Sequence, residues 1–441
     1  MIKKFHLNIK NLQSFKKKLI RWGNRFDPFV FLDSCEYNIN HSTESTYYEY
    51  DFLAAVKAKE ICCSSSENKL EILKKFTQNN KQWIFGYLSY DLKNEIEQLE
   101  SNNIDNVQFP DIHFFIPELV FTAKNNELII YYNQQQYDLK KIDQIVKQIN
   151  STDISSLNKN TQSIEILSRF TKQEYLDTIT QLKKHIQRGD IYEINFCREF
   201  YSNSAIDPLS TYLKIQDSSP TPFSCFYKTG NNFLLSASPE RFVKKKGTKI
   251  ISQPIKGTIR RGKSEKEDIV LKDKLFNDPK ERAENVMIVD LVRNDLSHTA
   301  KKGSVKVEEL YGIYSFKQVH QMISTIVSEV KSTTPVIEII KNAFPMGSMT
   351  GAPKIRAMEL IEQYEKTKRG LYSGSVGYIT PDKDFDFNVV IRSILYNQLK
   401  NYVSFTVGGA ITSLSVPEKE HEECMIKARA MLNVLNINYD D

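Results

Sequence analysis

A polar stretch divides the chain into two parts with different hydrophobic patterns. Residues 151–163 read STDISSLNKNTQS and are almost free of large apolar side chains, which is typical of a surface connection. From Phe29 to about Tyr137, short apolar runs alternate with turn-forming stretches and indicate strands. After the polar stretch, helix-like and strand-like segments alternate to the end. The sequence therefore predicts a β-rich part, residues 1–150, and a mixed α and β part, residues 164–441.

The composition is that of a globular protein and argues against several other classes. Hydrophobic residues make up 40% and charged residues 26% of the 441 residues. The net charge is +6, but the basic residues are spread along the chain, so we expect no nucleic-acid partner. No apolar run approaches the ~18 residues of a membrane span, so we expect no membrane partner. The six cysteines lack the spacing of a zinc site and the density of a disulfide scaffold, which favours a cytoplasmic location.

The segment 277–297 carries a strong helix start signal. Asp278 is a plausible N-cap, Pro279 stands at the first helical position, and Glu281 would complete a capping box. Glu284 shares a stripe with the apolar residues that follow it, so its carboxylate should face the core. A buried carboxylate needs a partner, and the helix is therefore predicted to contribute an acid to a site.

The segment 415–435 has the same pattern near the C-terminus. Ser415 and Glu418 would form the capping box of a second helix. Three charged residues then share one face of that helix: Glu420, Glu423 and Lys427. Taken alone, this pattern is typical of a solvated ion-pair face. If Glu284 faces Glu423, however, the two carboxylates form an oxygen site suited to Mg²⁺, which keeps several waters and accepts the oxygens of an anionic ligand.

Two glycine clusters permit close approach of the backbone to a ligand. Gly347, Ser348, Thr350 and Gly351 precede a predicted helix, where N–H groups and two hydroxyls can bind an anion. The spacing is not that of a Walker loop, so no nucleotide is predicted. The run 408–410 follows a predicted strand and favours either a ligand contact or a tight turn.

His320 lies in a largely apolar segment. A buried structural histidine is at least as common in such a setting as a catalytic one, and the residue pattern alone leaves both roles open.

Together these segments resemble the chorismate-utilising enzymes, which include anthranilate, aminodeoxychorismate, isochorismate and salicylate synthases. Between Gly189 and about Lys427 the matching stretches, in family order, are GDIYEINF, SASPERF, QPIKGTIRRG, ENVMIVDLVRNDLS, VHQMISTI, FPMGSMTGAPKIRAMELIE, YSGSVGYI, IRSILYN and VGGAITSLSVPEKEHEE. The resemblance implies an α+β fold, a large two-sheet composite domain with flanking helices and an intertwined N-terminal part. Residues 1–150 match only through FLDS at 31–34, which resembles the start of the family's effector-binding strand, so the resemblance implies a possible effector pocket there.

Lys256 is the position that separates family members. Within PIKGT the anthranilate synthases carry Ala, whereas the component I chains of aminodeoxychorismate synthases carry Lys. The resemblance thus implies amination of chorismate at the carbon bearing its hydroxyl, with Lys256 as covalent nucleophile and Glu240 as the general acid. A partly buried lysine can have its pKa lowered enough for this role. The alternatives are an anthranilate synthase component I and a non-catalytic chorismate-binding protein.

The resemblance also implies ligands for Mg²⁺ and for the substrate. The metal carboxylates correspond to Glu284 and Glu423, with Glu420 close by, and His320 corresponds to an active-site histidine. The residues expected to hold the carboxylates of chorismate are Ser348 or Thr350, Tyr378, Arg392, Gly408, Gly409 and Lys427. Glu193 departs from the pattern, since the aminating relatives usually carry Gln there. No glutaminase motif is found, so a separate glutamine amidotransferase subunit is expected to supply ammonia.

Overall fold

The fold is built on antiparallel strands that come from both parts of the chain. The computed structural model describes residues 2–35, 49–64, 68–155, 164–437 and 439. Of the predicted connection, residues 156–163 lie outside these ranges. The strands are β1 Ile2–Asn8, β2 Phe29–Asp33, β3 Phe52–Ser64, β4 Ile84–Leu88, β5 Ile112–Lys124, β6 Glu127–Asn133, β7 Leu167–Ser168, β8 Glu193–Asn203, β9 Phe223–Thr229, β10 Asn232–Ser238, β11 Arg241–Lys246, β12 Lys249–Gln253, β13 Ile255–Arg260, β14 Lys306–Ser315, β15 Val319–Glu329, β16 Gly351–Ala352, β17 Ser375–Ile379, β18 Phe385–Asn388, β19 Ser393–Asn397 and β20 Tyr402–Ile411. The helices are α1 Leu12–Gly23, α2 Lys69–Asn79, α3 Lys93–Glu97, α4 Leu139–Asn150, α5 Lys172–Arg188, α6 Pro208–Ser218, α7 Glu265–Phe276, α8 Pro279–Ser297, α9 Val336–Ala343, α10 Lys354–Tyr364 and α11 Pro417–Val434, and Tyr90–Leu92 and Gly347–Met349 form 3₁₀ turns.

The strands form two sheet regions that are joined at β5. The first region runs β1-β6-β5-β3-β2-β9-β10-β19-β20-β8, and β7 and β16 also pair with β8. The second runs β4-β17-β18-β11-β12-β15, with β13 and β14 both on β15. One end of β5 pairs with β6 and the other with β4. This arrangement, with its flanking helices, confirms the predicted α+β architecture.

Strands from residues 1–150 pair directly with strands from residues 164–441. β2 lies between β3 and β9, and β4 lies between β5 and β17. The two parts that the hydrophobic pattern distinguishes therefore share their sheets.

Alternating side chains of the first sheet region enter two separate cores. On β2, Phe31 belongs to a core shared with α1, α4, α5, α6 and α11, whereas Val30 belongs to a core shared with the second sheet region, α8 and α9. On β9, Phe226 and Tyr227 divide in the same way. This follows from the two-residue period of a strand, and it means that the first region is covered on both faces. In the described ranges, no helix has the length and apolarity of a membrane-spanning segment.

The predicted helices are present, but their N-terminal caps differ in part from prediction. Asp278 caps α8 by accepting from the N–H groups of Lys280 and Glu281, as expected. The reciprocal half of that capping box is absent among the described contacts, since the Asp278 N–H donates to Leu275 O instead. The predicted box at the start of α11 is wrong, because the Ser415 hydroxyl accepts from the Thr412 N–H and so caps the preceding turn.

The glycine clusters also take forms that the sequence did not predict. The run 408–410 lies inside β20 and pairs with β8, so the alternative of a tight turn is wrong. Gly347 begins a 3₁₀ turn, and the short strand β16 separates this turn from α10. The sequence predicted that the turn leads directly into the helix N-terminus and binds an anion with it. In the structure, the N-terminus of α10 is separated from the turn.

Gly351 is required by the close packing of β16 on β8. Its φ is +150°, and a Cβ at this position would lie 2.2 Å from the Glu193 carbonyl oxygen. We expect Gly351→Ala to lower the free energy of unfolding by about 3 kcal/mol or more, because backbone strain and overpacking add. Gly189→Ala is the matched control, since its φ is +85° but no atom lies within 4 Å of the added Cβ. That variant should lose only about 1 kcal/mol in the same urea titration. Equal losses would contradict the packing argument.

Candidate active site

Lys256 lies between two carboxylates that come from different elements. On β13, its Nζ is 2.7 Å from Oε1 of Glu193 on β8 and 3.6 Å from Oε2 of Glu284 on α8. The side chain of Lys256 is 13% exposed and that of Glu193 only 2%. Lys256 is therefore inside a buried, charged cluster.

The cluster continues from Glu284 to α11. Lys280 Nζ is 3.7 Å from Glu284 Oε1 and 3.7 Å from Glu420 Oε1. On the next turn of α11, Lys427 contacts Glu423 Oε1 at 2.8 Å and donates to the Gly408 carbonyl at 2.9 Å. Acids and lysines thus alternate from β8 across α8 to α11, with Lys280 between Glu284 and Glu420 and with Lys427 beside Glu423.

Gly409 lies against this cluster and has room for no more than a methyl group. A Cβ on Gly409 would stand 3.6 Å from Glu420 Oε2, 3.8 Å from Lys427 Nζ and 4.0 Å from Glu423 Oε1. The backbone at Gly409 is therefore next to groups that bind cations and carboxylates.

The electrostatic environment of Lys256 is the opposite of the one predicted. Burial by itself would lower its pKa, but Glu193 and Glu284 outweigh burial and raise the pKa above the usual value. The prediction of a lowered pKa is therefore wrong for the unliganded chain, because it counted burial and omitted the two acids. Burial raises the pKa of Glu284, and burial with the neighbouring Glu284 raises the pKa of Glu281 to about 7. By contrast, Lys427 lowers the pKa of Glu423.

Glu240 is a second buried acid whose charge interacts with that of Lys256. It lies between β10 and β11, is 4% exposed, and accepts a 2.7 Å hydrogen bond from the Ser348 hydroxyl. Burial raises the pKa of Glu240 to about 7, although Ser348, Lys256 and the Arg392 guanidinium oppose the shift. A carboxyl group with such a pKa can hold a proton near neutral pH, which is the requirement for a general acid.

The polar groups of the 347–351 turn are already engaged within the chain. Ser348 donates to Glu240, and Thr350 Oγ1 bonds to the carbonyls of Met346 and Gly347. Arg369 fixes the turn against β8, because its guanidinium donates to Met349 O at 2.6 Å and to Asn195 O at 2.8 Å. Sequence reasoning missed Arg369, whose role depends on a contact between residues far apart in the chain.

His320 is held in a network of its own. Its Nε2 lies 2.9 Å from Asp268 Oδ1 and its Nδ1 lies 2.8 Å from Ser315 Oγ. Asp268 is in turn paired with Arg261. Both ring nitrogens therefore have partners within the chain, and the active-site role of His320 stays a prediction. The adjacent Gln321 points to the opposite face of β15, and its buried Oε1 has no hydrogen-bond partner among the described residues.

Tyr378 and Arg392 occupy different surroundings. The Tyr378 ring packs on Trp83, Phe85 and Tyr50. It lines a cavity of about 60 Å³ together with residues of the FLDS segment, on which the resemblance puts the effector pocket. The structure therefore does not bring Tyr378 into the charged cluster. The Arg392 guanidinium interacts with Glu240, and burial lowers the pKa of Arg392.

The carboxylates fit a magnesium ion that keeps most of its water. No group of three or more His, Cys, Asp or Glu side chains in the described ranges forms a preorganised metal site. However, Mg²⁺ commonly binds through one or two carboxylates and retains several waters. Glu284 Oε1 is buried and has no hydrogen-bond partner in the same ranges, so a lone pair is available for a cation. This oxygen of Glu284 fits such an ion, and the carboxylates of Glu420 and Glu423 lie together beside Gly409.

Comparison with known proteins identifies the family. Residues 27–433 match the family model for chorismate binding enzyme. The chain belongs to the chorismate-binding enzyme family. The charged cluster and Glu240 therefore lie in a chain of the predicted family.

Relatives with two different activities are equally similar to this chorismate-binding enzyme. Aminodeoxychorismate synthase component 1 of Bacillus subtilis (strain 168) is 32% identical over 367 residues, covering 81% of this chain and 77% of that protein. Anthranilate synthase component 1 of Aquifex aeolicus (strain VF5) is 32% identical over 388 residues, covering 83% and 78%. Anthranilate synthase component I from Streptococcus pneumoniae TIGR4 has the same fold, with a TM-score of 0.76 over 90% of this chain and 95% of that chain at 23% identity. Overall similarity thus does not separate the two activities.

Proposed function

We propose that this chorismate-binding enzyme is an aminodeoxychorismate synthase component I, which converts chorismate and ammonia to 4-amino-4-deoxychorismate. The observation that carries the proposal is Lys256, which lies between Glu193 and Glu284 and near the buried acid Glu240. Anthranilate synthases resemble this chain but carry Ala at that position, so they have no amine there to attack the ring.

The residues suggest a two-step exchange at the ring. Lys256 must first lose a proton against its raised pKa, and Glu193 Oε1 is the acceptor 2.7 Å away. The Nζ lone pair then forms a C–N bond to the ring, the bond to the ring hydroxyl breaks, and Glu240 donates the proton that makes water the leaving group. Ammonia next forms its own C–N bond, and the bond to Lys256 breaks. The pyruvyl ether is retained, and no oxidant or reductant is needed.

The acidic cluster would hold Mg²⁺, and the surrounding cations would hold the substrate. Glu284, Glu420 and Glu423 are the proposed metal ligands, and the bound ion would supply positive charge for a carboxylate of chorismate. Arg392 and Lys427 carry the charge that suits the remaining carboxylate oxygens, Arg392 through a planar bidentate group. The backbone at Gly408 and Gly409 permits close approach of the ligand.

We further propose that ammonia comes from a separate glutamine amidotransferase subunit and that the pair works in the cytoplasm. This rests on the resemblance and on the absence of a recognised glutaminase motif in the sequence. The six cysteines are all free thiols, which suits a reducing compartment. The effector pocket near Ser34 stays a prediction.

Product analysis tests the proposed activity directly. The purified chain, incubated with chorismate, Mg²⁺ and ammonium, is expected to form 4-amino-4-deoxychorismate, which an added lyase converts to p-aminobenzoate. Chromatography with mass spectrometry identifies the product, and a reaction without ammonium is the control. Anthranilate with pyruvate would instead establish the second candidate, an anthranilate synthase component I, which the equal similarity to such relatives supports. No turnover at all would favour a chorismate-binding protein without activity.

A further inference from the structure

Lys280 holds a position between two proposed metal ligands. Its Nζ is 3.7 Å from Glu284 Oε1 and 3.7 Å from Glu420 Oε1, although the two acids belong to different helices. The side chains of Glu284 and Glu420 are 9% and 5% exposed, whereas that of Lys280 is 40% exposed. An ammonium group therefore reaches from the surface into the gap between two buried carboxylates.

The contacts of Lys280 are ionic and loose. Both distances exceed that of a hydrogen bond between nitrogen and oxygen, so the ammonium group is not tied to either acid by a directed bond. Glu284 Oε1, the nearer oxygen on α8, has no hydrogen-bond partner in the described part of the chain. A lysine has a flexible four-carbon stem, and from a 40% exposed position it can turn outward into water.

The gap is also where a divalent cation would have to bind. Glu284 is the one proposed ligand on α8, and Glu420 faces it from α11, so an ion shared by the two helices lies between them. Two cations cannot occupy that space together, because like charges at close range repel strongly.

We propose that Lys280 is an internal counter-cation of the metal site, which neutralises Glu284 and Glu420 in the metal-free chain and is displaced when Mg²⁺ binds. The inference rests on the proposed function, since it takes Mg²⁺ as the ion of this site. Lys280 thereby sets the metal affinity: each binding event must break its two ion pairs. It also keeps the two acids together while the metal is absent.

Removal of the ammonium group should tighten metal binding. In Lys280→Met the stem is retained, Glu284 and Glu420 lose the ammonium group that they share, and Mg²⁺ no longer competes with that cation. Lys256 stays 3.6 Å from Glu284 in both proteins, so its charge does not account for the difference between them. We expect the dissociation constant for Mg²⁺, measured by isothermal titration calorimetry on the full chain without substrate, to fall roughly fivefold to tenfold, as expected for partly exposed ion pairs. The rise in melting temperature on adding Mg²⁺ should grow correspondingly.

Two further variants separate this role from a general effect of charge. Lys419→Met removes a lysine next to Glu420 in sequence that is exposed and has no ion pair in the described ranges, so the dissociation constant should stay within twofold of wild type. Lys280→Arg keeps the charge and should not tighten binding.

The outcomes are distinguishable from failure of the proposed function. Unchanged or weaker binding in Lys280→Met, or equal tightening in Lys419→Met, overturns the role of Lys280. If wild type binds no Mg²⁺ and Lys280→Met does, the counter-cation is supported in a stronger form. If neither binds Mg²⁺, both the proposed metal site and this inference fail, whereas product analysis still tests amination by itself.

Discussion

Lys256→Ala is expected to lower kcat/KM for amination of chorismate by at least about 10³-fold, because it removes the proposed covalent nucleophile. The KM for chorismate should change far less, since the cations and backbone groups proposed to hold its carboxylates remain. Initial rates with ammonium, measured as p-aminobenzoate after coupling to a lyase, give both constants.

A lysine in the neighbouring strand provides the control for Lys256. Lys249 on β12 pairs with Glu308 at 2.8 Å, outside the charged cluster. Lys249→Ala should retain the wild-type rate within about twofold, as is usual for a surface ion pair. Retention of most of the activity by Lys256→Ala would exclude covalent catalysis by this residue and leave it as a structural counter-charge for Glu193 and Glu284.

Glu240→Gln is expected to lower kcat by about 10²- to 10⁴-fold, the range for loss of a general acid. In wild type, burial raises the pKa of Glu240 to about 7, so the protonated form that donates to the leaving hydroxyl is lost as the pH rises through this value. The rate should therefore decrease on the alkaline side of pH 7, and the residual rate of the variant should lack this decrease. Rates measured from pH 5.5 to 9 in constant ionic strength test both points.

A second buried carboxyl group must be distinguished from Glu240 in that experiment. Glu281 also has its pKa raised to about 7, by burial and by Glu284. Glu281→Gln is the matched control, since it removes a carboxyl of similar pKa that does not contact Ser348. We expect Glu281→Gln to keep the alkaline decrease. The opposite result is that Glu281→Gln loses the alkaline decrease in rate while Glu240→Gln keeps it. That result would assign the titration to Glu281 and contradict the role of Glu240.

Features encoded locally could be predicted from the sequence. α5 begins after Thr171, whose side chain caps it, and ends before Gly189 in the left-handed conformation, and both residue types are usual at these positions. α8 begins after Asp278, as the cap and proline indicated. In both cases the signal lies within a few residues of the feature.

Features set by long-range pairing could not be predicted in the same way. Which face of β15 carries His320 depends on its pairing with β13 and β14, and neighbouring residues on a strand point in opposite directions. The charge state of Lys256 depends on Glu193, which lies on β8 and has no spacing relation to it in sequence. The ion pair of Lys280 with Glu284 could nevertheless have been predicted, because Lys280 precedes Glu284 by four residues on one helix.

The sharing of sheets between the two parts of the chain has a consequence for synthesis on the ribosome. β4 ends at Leu88, but its partner β17 begins only at Ser375. Similarly, β2 is synthesised well before its partner β9. At roughly 5–20 residues per second, the edge of β4 remains without this partner for a time on the order of tens of seconds. The apolar residues of both strands are exposed to other nascent chains during that interval. Yield in the cell should therefore depend on chaperones that cover these edges until the C-terminal strands emerge.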